Sequence, residues 1–138
     1  MAHSKFTCEV LTPEGEVFND EVEMVSTRTA SGLIGVLAHH APLLGVLDPT
    51  ELRLYRTESD IVRFAQAEGY IQVADNHAML LVQEAIAPES LNVAQLREQL
   101  AAADDELAGA GEDTERRRVA VRDKRRWEAF LRIAEGGS

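Results

Sequence analysis

The hydrophobic period of the chain changes once, near Pro88, and that change limits what the chain can fold into. Before Pro88 the apolar residues form short alternating runs: Phe6-Cys8-Val10, Val22-Met24, Leu52-Leu54, Val62-Phe64, Ile71-Val73 and Met79-Leu81. A period of two sets such residues on one face of a strand. Turn signals separate the runs at Pro13-Glu14-Gly15, Thr29-Ala30-Ser31-Gly32, Asp48-Pro49, Thr57-Glu58-Ser59-Asp60 and Asp75-Asn76. Many short strands at this spacing predict a sandwich or flattened barrel. After Pro88 the period becomes helical, with Val93, Leu96, Leu100, Ala103 and Leu107 recurring three or four residues apart behind the candidate caps Ser90 and Asn92. Gly109-Ala110-Gly111 ends that helix, Asp113 or Thr114 can cap a second, and Ala120, Trp127, Leu131 and Ala134 then form a stripe flanked by Phe130 and Ile133. Two amphipathic helices with a short loop between them read as an antiparallel hairpin.

The chain has 138 residues, 45% of them hydrophobic, which suits one domain with a modest core and an appendage. Its one cysteine, Cys8, excludes an internal disulfide and reads as small core filler in an alternating run. The start Met1-Ala2-His3-Ser4-Lys5 leads into a strand pattern and not into an apolar segment, so no signal peptide is expected. No uninterrupted apolar run approaches the roughly 20 residues that span a bilayer. The net charge of −10 is divided unequally: residues 1–115 hold six basic and 21 acidic side chains, residues 116–138 eight basic and three acidic. The body is therefore a poor nucleic-acid binder, and the C-terminal segment suits an acidic partner surface.

Catalytic patterns are weak. His39 and His40 are adjacent, so on a strand they would point to opposite faces and chelate one metal poorly. His40 reads better as a buried or interface histidine, and His3 and His77 as surface residues. Ser26, Ser31 and Ser59 lack a nucleophile elbow, and neither a phosphate-cradling nor a dinucleotide glycine motif occurs. No catalytic residue, no metal ligand and no cofactor is assigned, and the chain is expected not to be an enzyme by itself.

The segment Gly32-Leu33-Ile34-Gly35-Val36-Leu37-Ala38-His39-His40-Ala41-Pro42-Leu43-Leu44-Gly45-Val46-Leu47 serves neither a plain strand nor a helix. Its glycines allow special backbone conformations, and Pro42 pushes Ala41 into an extended shape and ends a strand. The segment resembles the pattern G-x-x-G-[ILV]-L-x-x-H-[AS]-P-L-[LV] of the epsilon-subunit family of F-type ATP synthases, through Gly32, Gly35, Leu37, His40, Pro42 and Leu43. Val10-Leu11-Thr12-Pro13-Glu14-Gly15 with Val17-Phe18 resembles the first hairpin of that family, and Val22-Glu23-Met24-Val25 its next strand. Ala67-Glu68-Gly69-Tyr70-Ile71-Gln72-Val73 is similar to its G-G-F-x-E-V, with Glu68 and Gln72 as departures.

The resemblance implies an α+β fold: an N-terminal antiparallel β-sandwich of about ten short strands over residues 1–88, a two-helix antiparallel hairpin over 89–135 and a tail at 136–138. It implies a non-catalytic rotor subunit of the central stalk of a proton-translocating ATP synthase, linking the gamma subunit to the c-ring. The expected interface residues are Gly32, Leu33, Ile34, Val36, His39 and His40; Leu33 stands where many relatives carry an acidic residue. The expected place is peripheral, on the cytoplasmic face of the plasma membrane, held there only through the complex. Some relatives bind ATP through [IL]-D-x-x-R-A, but here Asn92 and Gln95 replace the Asp and Arg, and Arg97 lies on another helix face. No tight ATP site is expected.

The basic segment Arg116, Arg117, Arg118, Arg122, Lys124, Arg125 and Arg126 reads either as a solvated helix face or, through the resemblance, as a regulatory element. In the second reading it meets acidic loops of the catalytic alpha/beta subunits and blocks ATP hydrolysis. Residues 116–132 carry eight basic and two acidic side chains, which suits that contact. The competing reading is a free-standing acidic binding module whose basic C-terminal arm grips a polyanion, and a small hydrolase using His40 with a carboxylate is a distant third. One Trp and no stacking platform argue against nucleic acid.

Overall fold

The computed structural model describes residues 3–136, and their strands follow the alternation of the sequence. The strands are β1 (Phe6–Thr12), β2 (Gly15–Val22), β3 (Met24–Thr29), β4 (Gly32–Leu37), β5 (Leu43–Leu47), β6 (Thr50–Tyr55), β7 (Ile61–Gln66), β8 (Gly69–Ala74), β9 (His77–Val82) and β10 (Ala85–Ile86). A 3-10 turn at Pro88–Ser90 leads to α1 (Val93–Gly109) and α2 (Thr114–Ala134). Hydrogen bonding runs in the order β10-β7-β6-β3-β5-β8-β9-β1-β2, with β4 on the other edge of β3. β6 pairs with Met24, Val25 and Ser26 of β3, and β5 with Thr29 on that same edge. There the path divides, and the inward residues of its two parts meet in one core that includes Phe6, Cys8, Val10, Val25, Val36, Leu52, Leu54, Ile71, Val73 and Leu80.

Several local expectations change. The run Gly32–Leu47 is two ordinary strands, β4 and β5, and Pro42 precedes the second instead of ending the first. In β9 the inward residues are Ala78, Leu80 and Val82, so Met79 and Leu81 face out, opposite to the phase expected from alternation. That strand is apolar on both faces from Ala78 to Val82, and periodicity alone cannot choose the inner one. The pairs are antiparallel except β1 with β9, which run parallel. In α2 the most buried large side chains are Phe130 and Ile133, because this helix packs against the sandwich as well as against α1.

Two buried polar groups are explained by their surroundings. Gln66 is fully buried, and its Oε1 accepts from Thr27 Oγ1 at 2.5 Å while its Nε2 donates to the carbonyls of Asp48 at 3.0 Å and Ala67 at 3.1 Å. The satisfied amide ties β3 to β7 without an unpaired polar atom. Cys8 is also fully buried, and burial, with Glu9 beside it, pushes the thiol up to about 12. It stays protonated and acts as core filler.

Gly69 marks a close approach of two strands. A β-carbon there would lie 2.0 Å from the carbonyl oxygen of Leu81 and 2.7 Å from Val82 Cα, both backbone atoms. A β-carbon at Gly35 would meet only Met24 Sδ at 3.7 Å, an ordinary contact. Urea denaturation should therefore show Gly69→Ala losing about 1–3 kcal/mol or more, and Gly35→Ala staying within about 0.5 kcal/mol of the parent. Equal stabilities for the two variants would contradict the close approach.

Candidate interaction surfaces

Among the described residues edge strand β4 pairs only with β3, from Met24 opposite Leu37 to Thr29 opposite Gly32. Its alternation splits the expected interface residues. Leu33 points out and is 68% exposed, whereas Val36 is fully buried and Ile34 packs against the core. Val36 is therefore a core residue and not a contact residue, because inward positions of a strand are two apart. Gly32 takes φ +127° at the β3–β4 turn, where Thr29 Oγ1 donates to its carbonyl at 3.2 Å.

His39 and His40 lie in the turn after β4 and not on a strand, and both are exposed, so the buried reading of His40 does not hold. His39 has φ 63°, and its N–H donates to Asn76 Oδ1 at 2.7 Å. Asn76 Nδ2 in turn donates to the Lys5 carbonyl at 3.4 Å. The His39 backbone thereby fastens the β4–β5 turn to the β8–β9 turn. His40 Nδ1 lies 2.6 Å from the Ala41 carbonyl oxygen, within its own turn.

The broadest apolar surface lies on β5, β8 and β9. Val46 is opposite Tyr70, and Tyr70 is opposite Leu81, so the three side chains share one outward row. Leu44 stands in the next row, opposite Gln72, which is opposite Met79. Leu44 is 76% exposed, Tyr70 58%, and Val46 and Leu81 about as open. Apolar side chains clustered in this way mark an interaction site more often than a solvent face. The sequence signal was the unbroken apolar character of Leu43-Leu44 and Val46-Leu47, where a half-buried strand would alternate.

The basic segment is not a free face, because much of it is matched within the chain. Arg116 grips Glu106 with Nε at 3.1 Å and Nη2 at 2.8 Å, and its Nη1 donates to the Gly109 carbonyl at 2.9 Å. Arg117 Nη2 donates to the Gly111 carbonyl at 3.1 Å. Arg118 pairs with Glu115 at 2.6 Å and Lys124 with Asp104 at 2.9 Å. Arg125 reaches the sandwich, where its Nη2 meets Asp48 Oδ2 at 2.9 Å.

Arg126 is the central contact of the seam between hairpin and sandwich. Its Nε and Nη2 form a fork on the Glu68 carboxylate, Nε at 2.9 Å, and its Nη1 donates to Glu84 Oε1 at 3.0 Å. Its side chain is only 12% exposed. Arg122 Nε lies 3.9 Å from the same Glu68, and the Arg126 guanidinium sits over the Trp127 ring, 5.3 Å from its centre. Backbone bonds hold the two carboxylates side by side: Ala67 N–H to the Glu84 carbonyl at 2.9 Å and Gln83 N–H to that of Glu68 at 3.0 Å. The apolar part of the seam sets Leu96, Phe130 and Ile133 against Ala65 and Ala67. Burial pushes the Glu68 carboxyl up, but the Arg126 hydrogen bond, a bond from its own backbone N–H and the charges of Arg126 and Arg122 outweigh it, so its pKa is lowered.

Asn92 caps α1, its Oδ1 accepting from the Gln95 N–H at 3.0 Å, while Arg97 pairs with Glu135 at 3.0 Å. Among the described residues no group of three or more His, Cys, Asp or Glu could hold a metal ion, and no helix is long and apolar enough to cross a membrane. A cleft of about 610 Å³ opens between the helices, lined by Ala103, Glu106, Val119, Ala120, Asp123 and Trp127.

A family model for the ATP synthase delta/epsilon chain, β-sandwich domain, matches residues 5–88. The chain belongs to the ATP synthase delta/epsilon family. An ATP synthase epsilon chain of Rubrobacter xylanophilus is 33% identical over 132 residues, covering 92% of this chain and 90% of that one. The sodium ion specific epsilon chain of Propionigenium modestum is 31% identical over 132 residues, covering 94% and 93%. As an epsilon-type chain it is a non-catalytic subunit of the synthase. In fold it is similar to a chain of the Euglena gracilis mitochondrial ATP synthase OSCP/F1/c-ring structure, with TM-score 0.77, 19% identity and coverage of 91% of this chain and 79% of that one. A chain of the Tetrahymena thermophila mitochondrial ATP synthase central stalk/c-ring structure aligns at TM-score 0.65 and 19% identity, over 97% and 99%.

Glu68 and Glu84 escaped the sequence analysis as site residues, although Glu68 stood out as a departure from the family's G-G-F pattern. Their role has a pH signature. A carboxylate with a lowered folded pKa adds stability that is complete above its ordinary value of 4.5 and is lost as pH falls through the folded value. Trp127 fluorescence should therefore report a seam that loosens below pH 4.5, and Glu68→Gln should flatten that acid branch. Parallel titration curves for parent and variant would remove Glu68 from the seam's energetics.

Proposed function

We propose that this chain is a rotor piece of the central stalk, which joins the gamma subunit to the c-ring and carries torque between them. The observation that carries the reading is the outward apolar row Val46, Tyr70 and Leu81 with Leu44 beside it, on strands whose opposite face is already packed in the core. A rigid sandwich with one apolar outer face transmits force without needing moving parts of its own. In this reading gamma covers that face, and Gly32, Leu33, His39 and His40 at the β4 edge and its turn contribute contacts to gamma or the c-ring. The complex holds the chain at the cytoplasmic face of the plasma membrane.

The hairpin supplies the second part of the role, restraint of ATP hydrolysis by contact between α2 arginines and acidic surfaces of the catalytic alpha/beta subunits. The polyanion-binding alternative is the weaker reading, because the chain belongs to the ATP synthase delta/epsilon family. Nucleotide does not enter the proposal, since Asn92 and Gln95 replace the charged pair and Asn92 serves as a helix cap.

Assembly tests the first part. The double variant Leu44→Asp with Tyr70→Asp changes two outward positions, so its thermal stability should stay close to the parent's while its capture by purified gamma and c-ring falls at least tenfold, a loss of about 1.4 kcal/mol. Undiminished capture would sink the assignment of that face. Calorimetry tests the nucleotide statement: titration of the unmodified chain with ATP should give no saturable heat in the micromolar range, and a saturable isotherm there would overturn it.

A further inference from the structure

We propose that the pocket where the β5–β6 turn faces the last turns of α2 binds a phosphate group through Arg28, Arg125 and Arg132. It is a cavity of about 290 Å³ with a mostly polar wall. On the helix side Arg125, Glu128, Ala129 and Arg132 recur at spacings of three and four, so they form one stripe of α2. Arg126, one residue on from Arg125, is turned about 100° away, toward Glu68, and lies outside this pocket. On the sandwich side Arg28 points out from β3 between the buried Thr27 and Thr29. Its backbone is fixed: the Asp48 N–H donates to the Arg28 carbonyl at 3.0 Å, and the buried Gln66 Nε2 donates to the Asp48 carbonyl at 3.0 Å. The site needs neither the rotor role nor any contact with the catalytic subunits.

The charges of the pocket are unbalanced in an otherwise acidic molecule. Three arginines line it against two carboxylates, in a chain of net charge −10. Arg125 places one nitrogen, Nη2, on Asp48 Oδ2 at 2.9 Å. Among the described residues neither Arg28 nor Arg132 has an ion-pair or hydrogen-bond partner for its guanidinium. A cation in the last turn of a helix meets the negative end of the helix dipole, which accounts for Arg132. It does not account for Arg28, which belongs to the sandwich and lines the same cavity. A carboxylate is filled by a single guanidinium fork, whereas a phosphate has oxygens enough for two or three arginines at once. The absence of an aromatic ring from the lining leaves a nucleotide base nothing to stack on. Glu128 is the one group that opposes an anion there, and the acidic body of the chain repels an anionic membrane, so free phosphate is favoured over a lipid headgroup.

The test titrates the full chain with inorganic phosphate at constant ionic strength, by calorimetry and by amide chemical shifts of the labelled protein. Three charge-assisted contacts of ordinary strength give a Kd of about 1 mM. The shifts in the parent should centre on Arg28, Asp48 and Ala129, a readout that needs no variant. Arg28→Gln and Arg132→Gln, both at exposed positions, should each weaken binding about fivefold with the thermal midpoint unchanged. Glu128→Gln should tighten it, and Arg118→Gln, whose arginine pairs with Glu115 on α2, should match the parent. No saturable response in the parent, shifts centred elsewhere, or an Arg28→Gln that binds like the parent would overturn the proposal. An equal response to acetate would do the same, since it would mean charge screening and not a phosphate site. Cosedimentation with phosphatidylglycerol vesicles, lost in Arg28→Gln, would assign the pocket to a lipid phosphate; its absence beside a saturable phosphate isotherm would assign it to the free ion.

Discussion

Successive side chains of a strand face opposite ways, and this constraint governs the whole N-terminal part of the molecule. It sends Phe6, Cys8, Val10, Leu52, Leu54, Ile71 and Val73 into one core and leaves their neighbours outside. Once the core is filled, outward positions have no structural need for apolar residues. Leu44, Val46, Tyr70 and Leu81 are apolar nonetheless, on adjacent strands and in matching register. Solvent gives no reason for that arrangement, whereas a partner pressed against the face does.

The charge division of the chain follows a different rule. An acidic sandwich and a basic helix attract one another, and in the docked molecule they neutralise one another at the seam. Exposed pairs such as Arg118 with Glu115 contribute little because water screens them. Arg126 differs, since its two carboxylates are held in place by sheet hydrogen bonds and its guanidinium is largely removed from water. The attachment thus combines an oriented ion pair with an apolar cluster centred on the fully buried Phe130.

Much of the fold was legible in the sequence because it depends on period. The change near Pro88, the caps Asn92 and Asp113 and the glycine-containing loop placed the two helices. Where both faces of a strand are apolar the sequence could not choose the inner one, which is why Met79 and Leu81 were read inward and the outer apolar face was missed. The Gly32–Leu47 segment misled for a related reason, as its glycines and proline lie in and between two ordinary strands. The seam was hidden because Glu68 and Arg126 are 58 residues apart. Only the unusual acid in Ala67-Glu68-Gly69 hinted that something there needed a cation.

Hydroxyl-radical footprinting of the chain, alone and within the assembled synthase, reaches the central claim most directly. If the outer face of β5, β8 and β9 is covered by a stalk partner, oxidation of Leu44, Tyr70 and Leu81 will be suppressed in the complex, while Val17, exposed on β2, keeps the rate of the free chain. Equal oxidation of Leu44 and Tyr70 in both states would contradict it.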